Sequence, residues 1–164
     1  MRWLLAVFLL LTGITARATA QDEGIAIGAS APVVIVNDID GKPVDLGDYI
    51  GRKPVLLEFW ATWCEVCEAL EPTVRAAHDT FGDRVEFFGV NVTVNQSPER
   101  VRKYLAERHP PFRTLYDSEG AVTRAYQAPT TSFIVIVDRA GKVAYTGVGA
   151  SQDLATALRA VTAP

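Results

Sequence analysis

Val55-Leu56-Leu57-Glu58-Phe59-Trp60-Ala61-Thr62-Trp63-Cys64-Glu65-Val66-Cys67 is the stretch that decides how this chain folds. From Pro54 to Trp60 it is almost continuously apolar, the pattern of a strand covered on both faces. Beyond it, Val66, Leu70, Val74, Ala77 and Phe81 recur at steps of three and four, which predicts a helix with one apolar face. Both cysteines of the protein stand where strand gives way to helix.

Working outward, Val85 to Val92 and Phe133 to Val137 repeat the buried-strand pattern and are expected to neighbour the first strand. Upstream, Val33 to Val36 and Val44 to Leu46 flank a turn with Asp40-Gly41-Lys42, which reads as a hairpin. Ser97 and Pro98 open a further helix with Val101, Tyr104 and Leu105 on its apolar face, stopped by His109-Pro110-Pro111. Asp138 to Lys142 is a turn that makes Val143 to Val148 antiparallel to the strand before it. Ser151 is expected to cap a last helix carrying Leu154, Ala157, Leu158 and Val161. Strands alternating with helices give an α/β fold: a central mixed sheet with helices on both faces, an N-terminal β-hairpin and an inserted helix.

The chain has 164 residues, 49% apolar and 21% charged, the proportions of one globular domain. Residues 1–20 differ: Arg2, an apolar run from Trp3 to about Ile14, and Ala18-Thr19-Ala20 form the three parts of a secretory signal peptide cleaved after Ala20. An uncleaved anchor is the alternative, but the apolar run falls short of the ~20 residues of a spanning helix. Residues 21–30 then read as a mobile leader and 31–164 as the folded domain. Removing Arg2 and Arg17 leaves 14 basic against 19 acidic residues, a charge of −5, which speaks against a nucleic-acid partner. Export to the periplasm or another extracytoplasmic space follows.

Cys64-Glu65-Val66-Cys67 has three possible uses: a redox pair, a permanent staple or a metal site. A four-residue loop removes little entropy from the unfolded chain, so a staple gains little. Structural zinc wants four Cys or His ligands, and His78 and His109 show no ligand spacing to the pair. At a helix N-terminus, unpaired N–H groups and the positive dipole end favour the Cys64 thiolate, making Cys64 the attacking sulfur. Cys67, one turn in and expected to be more buried, resolves the mixed disulfide. Glu58 is the one charge in the apolar run from Val55 to Trp60. It either sits beneath the disulfide, exchanging a proton with Cys67 through a water, or is an edge-facing or ion-paired glutamate.

Phe59 to Cys67, with Pro72 five residues after Cys67, closely resembles the TlpA-like and ResA-like thiol-disulfide oxidoreductases of the thioredoxin superfamily. The hairpin, the helix near 98–109 and Ala128-Pro129-Thr130-Thr131-Ser132-Phe133 extend the resemblance over about residues 30–162. It implies a thioredoxin-like fold, a cis Pro129 facing the disulfide (a trans turn proline being the alternative), substrate pairing at Ala128 and Pro129, and an exposed Trp63 beside the nucleophile. It also matches Glu58 to a buried acidic position of thioredoxin. Two positions depart from the family pattern: Val66 replaces a common proline, and Leu70 stands where a subgroup has glutamate, leaving Glu68 and Glu71 as solvated helix charges.

The resemblance implies a reductase of disulfides in exported proteins such as apocytochromes, fed by a membrane-embedded thiol carrier. An oxidase using the same pair is the second reading. A copper or metal-delivery module, the third, wants a CxxxC pair and a partnering histidine that the sequence lacks. No cofactor or metal is implied, and a monomer is expected.

Overall fold

The computed structural model describes residues 24–163. The predicted signal peptide lies outside the described residues. The elements run β1 (Ile35–Asn37), β2 (Pro43–Asp45), a 3-10 turn (Leu46–Asp48), β3 (Val55–Trp60), α1 (Glu65–Phe81), β4 (Glu86–Val92), α2 (Pro98–Arg108), β5 (Arg113–Asp117), α3 (Ala121–Ala125), β6 (Phe133–Val137), β7 (Val143–Val148) and α4 (Leu154–Thr162). Five strands form one sheet in the order β5-β4-β3-β6-β7. β3 and β4 are parallel, as are β4 and β5, whereas β6 is antiparallel to both β3 and β7. β1 and β2 form the expected hairpin.

β3 lies at the centre of the sheet, which is why its sequence carries no polar alternation. Its side chains still alternate between faces. Val55, Leu57 and Phe59 join the core under the hairpin and α3, together with Leu46, Phe88, Val122 and Tyr126. Leu56 points the other way, into the core made by Leu70, Val74 and Phe81 of α1 and Leu154 and Leu158 of α4. Glu58 and Trp60 share that second parity. The period of the strand therefore aims its one carboxyl toward α1, the helix that carries the cysteines.

Several expectations change. The apolar stripe of α1 begins at Cys67 and runs through Leu70, Val74, Ala77 and Phe81, while Val66 is exposed. The stripe keeps to steps of three and four from Cys67, and Val66 falls one residue, about 100°, outside it. Asp153, not Ser151, caps α4, its carboxylate accepting from Thr156 N–H.

Residues 24–30, expected to be mobile, are docked. Ile25 is buried and its N–H donates to Tyr126, Gly28 N–H donates to Val143, and Val143 N–H donates to Ala29, so this stretch covers part of the open edge of β7. β5 and α3 carry no clear signal in the sequence. Arg113-Thr114-Leu115-Tyr116-Asp117 is too short and mixed to stand out, and α3 is one turn and a half held by Asp117, whose carboxylate accepts from Val122 N–H, Thr123 N–H and Thr123 Oγ.

Candidate active site

The chain leaves β3 at Trp60 and turns through Ala61-Thr62-Trp63 into α1. Cys64 N–H donates to the Ala61 carbonyl at 3.1 Å, closing the turn. Cys64 is the extended N-cap of α1, and its Sγ accepts the Cys67 N–H at 3.1 Å. A sulfur here takes the place of the oxygen of an ordinary N-cap side chain, facing a first-turn helix donor that the Cys64 carbonyl shares at 3.1 Å. Cys64 and Cys67 are joined as a disulfide with Cα atoms 5.2 Å apart. Both cysteines are 5% exposed, so the expectation that Cys67 is the more buried is not met in the disulfide form. The two sulfurs are bonded neighbours in one packed cluster with Trp60 and Val101, and what separates the residues is their place on the helix.

Trp63 is 47% exposed, with its indole N–H donating to the Val94 carbonyl at 2.8 Å. Val66 and Val94 are exposed as well, giving an apolar rim on the segments flanking the disulfide. On the inner side, Glu58 is only 3% exposed. It lines a small cleft with Cys67, Trp60, Glu71, Tyr104 and Phe112, which offers about 10 Å³ to the centre of a water molecule, room for roughly one. Burial, with the Glu71 carboxylate adding to it, pushes the Glu58 carboxyl from 4.5 up to about 8. It is therefore mostly protonated at neutral pH and titrates just above it.

The redoxin family model matches residues 26–161, nearly all of the described chain. The chain belongs to the redoxin family. It is 31% identical over 125 residues to the thiol-disulfide oxidoreductase ResA of Bacillus subtilis, covering 76% of this chain and 68% of that one. It is 28% identical over 151 residues to the ResA of Geobacillus thermodenitrificans, covering 90% and 85%. The thioredoxin domain of a thiol-disulfide oxidoreductase from Bacteroides vulgatus superposes with a TM-score of 0.72 at 25% identity, over 84% of this chain and 99% of that one. With a CxxC pair at the head of α1, this redoxin is a thiol-disulfide oxidoreductase, and the ResA-like resemblance and thioredoxin-like fold are borne out.

The proline expectation is corrected. Among the described residues there is no cis peptide bond, and Pro129 is trans and exposed. The loop instead enters β6 through Ser132, which takes a left-handed conformation at φ 59°. That conformation is fixed from three sides: Ser132 N–H donates to Phe59 C=O, and Ser132 C=O accepts from Gly149 N–H and the buried Gln152 Nε2. Ala128 is half-buried, its N–H bonded to the Thr123 carbonyl. A cis bond is a minority state even before proline, and hydrogen bonds here hold a different turn.

Glu68 stays exposed as expected, though paired, whereas Glu71 is half-buried. Arg108 of α2 reaches Glu68 at 2.8 Å and Glu71 at 4.0 Å, and Arg75 pairs with Glu71 at 2.8 Å. Arg108 lies over the Tyr104 ring, which stacks on Trp60 with centroids 5.1 Å apart. The inserted helix thus roofs the Glu58 cleft. The i, i+4 spacing of Glu71 and Arg75 is legible in sequence; the approach of α2 is not.

Proposed function

We propose that the protein is an extracytoplasmic reductase of disulfides in exported proteins, apocytochromes among them, with Cys64 as nucleophile and Cys67 as resolving thiol. The Cys64 thiolate attacks one sulfur of a substrate disulfide, forming a mixed disulfide and releasing the other sulfur as a thiolate that takes up a proton. Cys67 loses its proton to the ionised Glu58 carboxylate through one water in the shared cleft, then attacks Cys64. Two electrons pass to the substrate, which leaves as a dithiol, and the Cys64–Cys67 disulfide remains. A membrane-embedded thiol carrier would return two electrons. Trp63 offers an apolar surface to the polypeptide around the substrate cysteine, and by the resemblance to ResA-like proteins the backbone at Ala128 and Pro129 would pair with that polypeptide.

The observation that carries the assignment is Cys64 Sγ accepting the Cys67 N–H at the head of α1. Export rests on the signal-peptide pattern of residues 1–20, and electron delivery from the membrane on the resemblance to ResA-like proteins. Among the described residues no helix is long and apolar enough to cross a membrane.

Trapping tests the roles. Cys67→Ala should accumulate mixed disulfides with substrate, and Cys64→Ala should accumulate few. Dominant trapping through Cys67 overturns the assignment. Equilibration with glutathione tests the direction: a potential below about −230 mV supports a reductase, and one near about −120 mV an oxidase.

A further inference from the structure

The turn that presents Cys64 is held from outside by the loop between β4 and α2. Thr62 N–H donates to Gln96 Oε1 at 3.0 Å, and Trp63 Nε1 donates to the Val94 carbonyl at 2.8 Å. Gln96 is itself fixed. Its Oε1 also accepts from Nδ2 of the fully buried Asn91 at 3.4 Å, and its Nε2 donates to the Asn95 carbonyl at 2.9 Å. Asn95 takes a left-handed conformation, φ 53°, and its carbonyl is held further by Arg100.

We propose that Gln96 is a positioning residue for the redox pair, pinning the Ala61-Thr62-Trp63 turn so that Cys64 Sγ stays over the Cys67 N–H when the disulfide opens. This rests on Cys64 being the nucleophile. In the disulfide form the S–S bond itself keeps the sulfur at that donor. Once two electrons and two protons have opened it, the Cys64 carbonyl stays tied to the N–H groups of Cys67 and Glu68, and on the other side of the residue the turn is held by the bond from Cys64 N–H to Ala61 and the two pins to residues 94 and 96. A thiolate that keeps a backbone donor is favoured over the thiol; one free to swing out competes with water for its hydrogen bonds. Gln96 lies in neither the cysteine helix nor the Glu58 cleft, so it acts on reactivity only through the turn.

The test uses the full chain carrying Cys67→Ala, in which Cys64 is the only thiol. Alkylation of Cys64 by iodoacetamide at pH 7 reports its thiolate. Gln96→Met, similar in length and with only a weak thioether acceptor, should slow alkylation ~3- to 10-fold, the weight of one hydrogen bond. Trp63→Phe removes the second pin, and the double variant should lose more than the product of the single effects. With both cysteines present, Gln96→Met should become more reducing by about 15 to 30 mV, the same factor at 29.6 mV per tenfold. Ser97→Ala is the control: Ser97 caps α2 through Arg100 N–H in the same loop without touching the turn, and should alkylate at the parent rate. Unchanged alkylation and potential in Gln96→Met would overturn the pin, as would equal slowing in Ser97→Ala. A parent Cys64 no more reactive than a free cysteine would overturn the nucleophile assignment first, whatever Gln96 does.

Discussion

Replacing Glu58 with glutamine should make the protein's stability much less dependent on pH. Burial and the Glu71 carboxylate raise the Glu58 carboxyl from 4.5 to about 8, so between those values the folded chain keeps a proton that the unfolded chain has lost. Stability changes with pH as the protons bound by the unfolded state minus those bound by the folded state, here a negative number. Below pH 4.5 both states are protonated and no penalty exists. Above it, stability falls by about 1.36 kcal/mol per pH unit until the folded carboxyl ionises near 8, a total of roughly 5 kcal/mol. With the residue 3% exposed, solvent screening takes little from that figure. Glutamine has nearly the same shape and no proton to lose. Urea unfolding of the disulfide-linked proteins at pH 5, 6, 7, 8 and 9 should show the variant gaining on the parent by about 1.4 kcal/mol per unit up to pH 8, then levelling. A difference flat from pH 5 to 9 would mean instead that Glu58 ionises in the folded state as it does in water. The same variant should cost activity: resolution of the mixed disulfide should climb with pH through about 8 in the parent and lose that rise in the variant.

Glu65, exposed at the start of α1, places negative charge near the Cys64 thiolate, so Glu65→Gln should move the pair ~10 to 30 mV toward more oxidising potential in glutathione equilibria, where a shift to more reducing values would contradict it. Asp117→Ala strips the buried acceptor from two amides and the Thr123 hydroxyl and should cost about 3 kcal/mol in urea unfolding; a loss under about 1 kcal/mol would mean that α3 holds without it.

The central strand, the helix after it and the placement of both cysteines at their junction are legible in the order of residues alone, because these rest on local periods of two and 3.6 residues and on helix-end chemistry. Caps and turns with short-range partners, such as Ser97 before Pro98 and the Asp138 to Lys142 turn, were legible for the same reason. Family likeness added the activity, yet it gave Pro129 a cis bond where the chain is trans. The backbone at Ser132, where that loop enters β6, is set by Phe59, Gly149 and Gln152, which come from other parts of the chain. Glu58 was visible as an anomaly in a buried run, but its elevated carboxyl depends on α1 and α2 closing over it, with Glu71 four residues beyond Cys67 as the nearby charge. Gln96 gave no local signal at all, since its bond to Thr62 spans 34 residues and exists only because β4 lies parallel to β3 and brings the two strand ends together. Local pattern decides which element a residue joins. Only the packed sheet decides which carboxylate loses its water and which loop leans on the nucleophile, because desolvation and hydrogen bonding depend on neighbours far away in the chain.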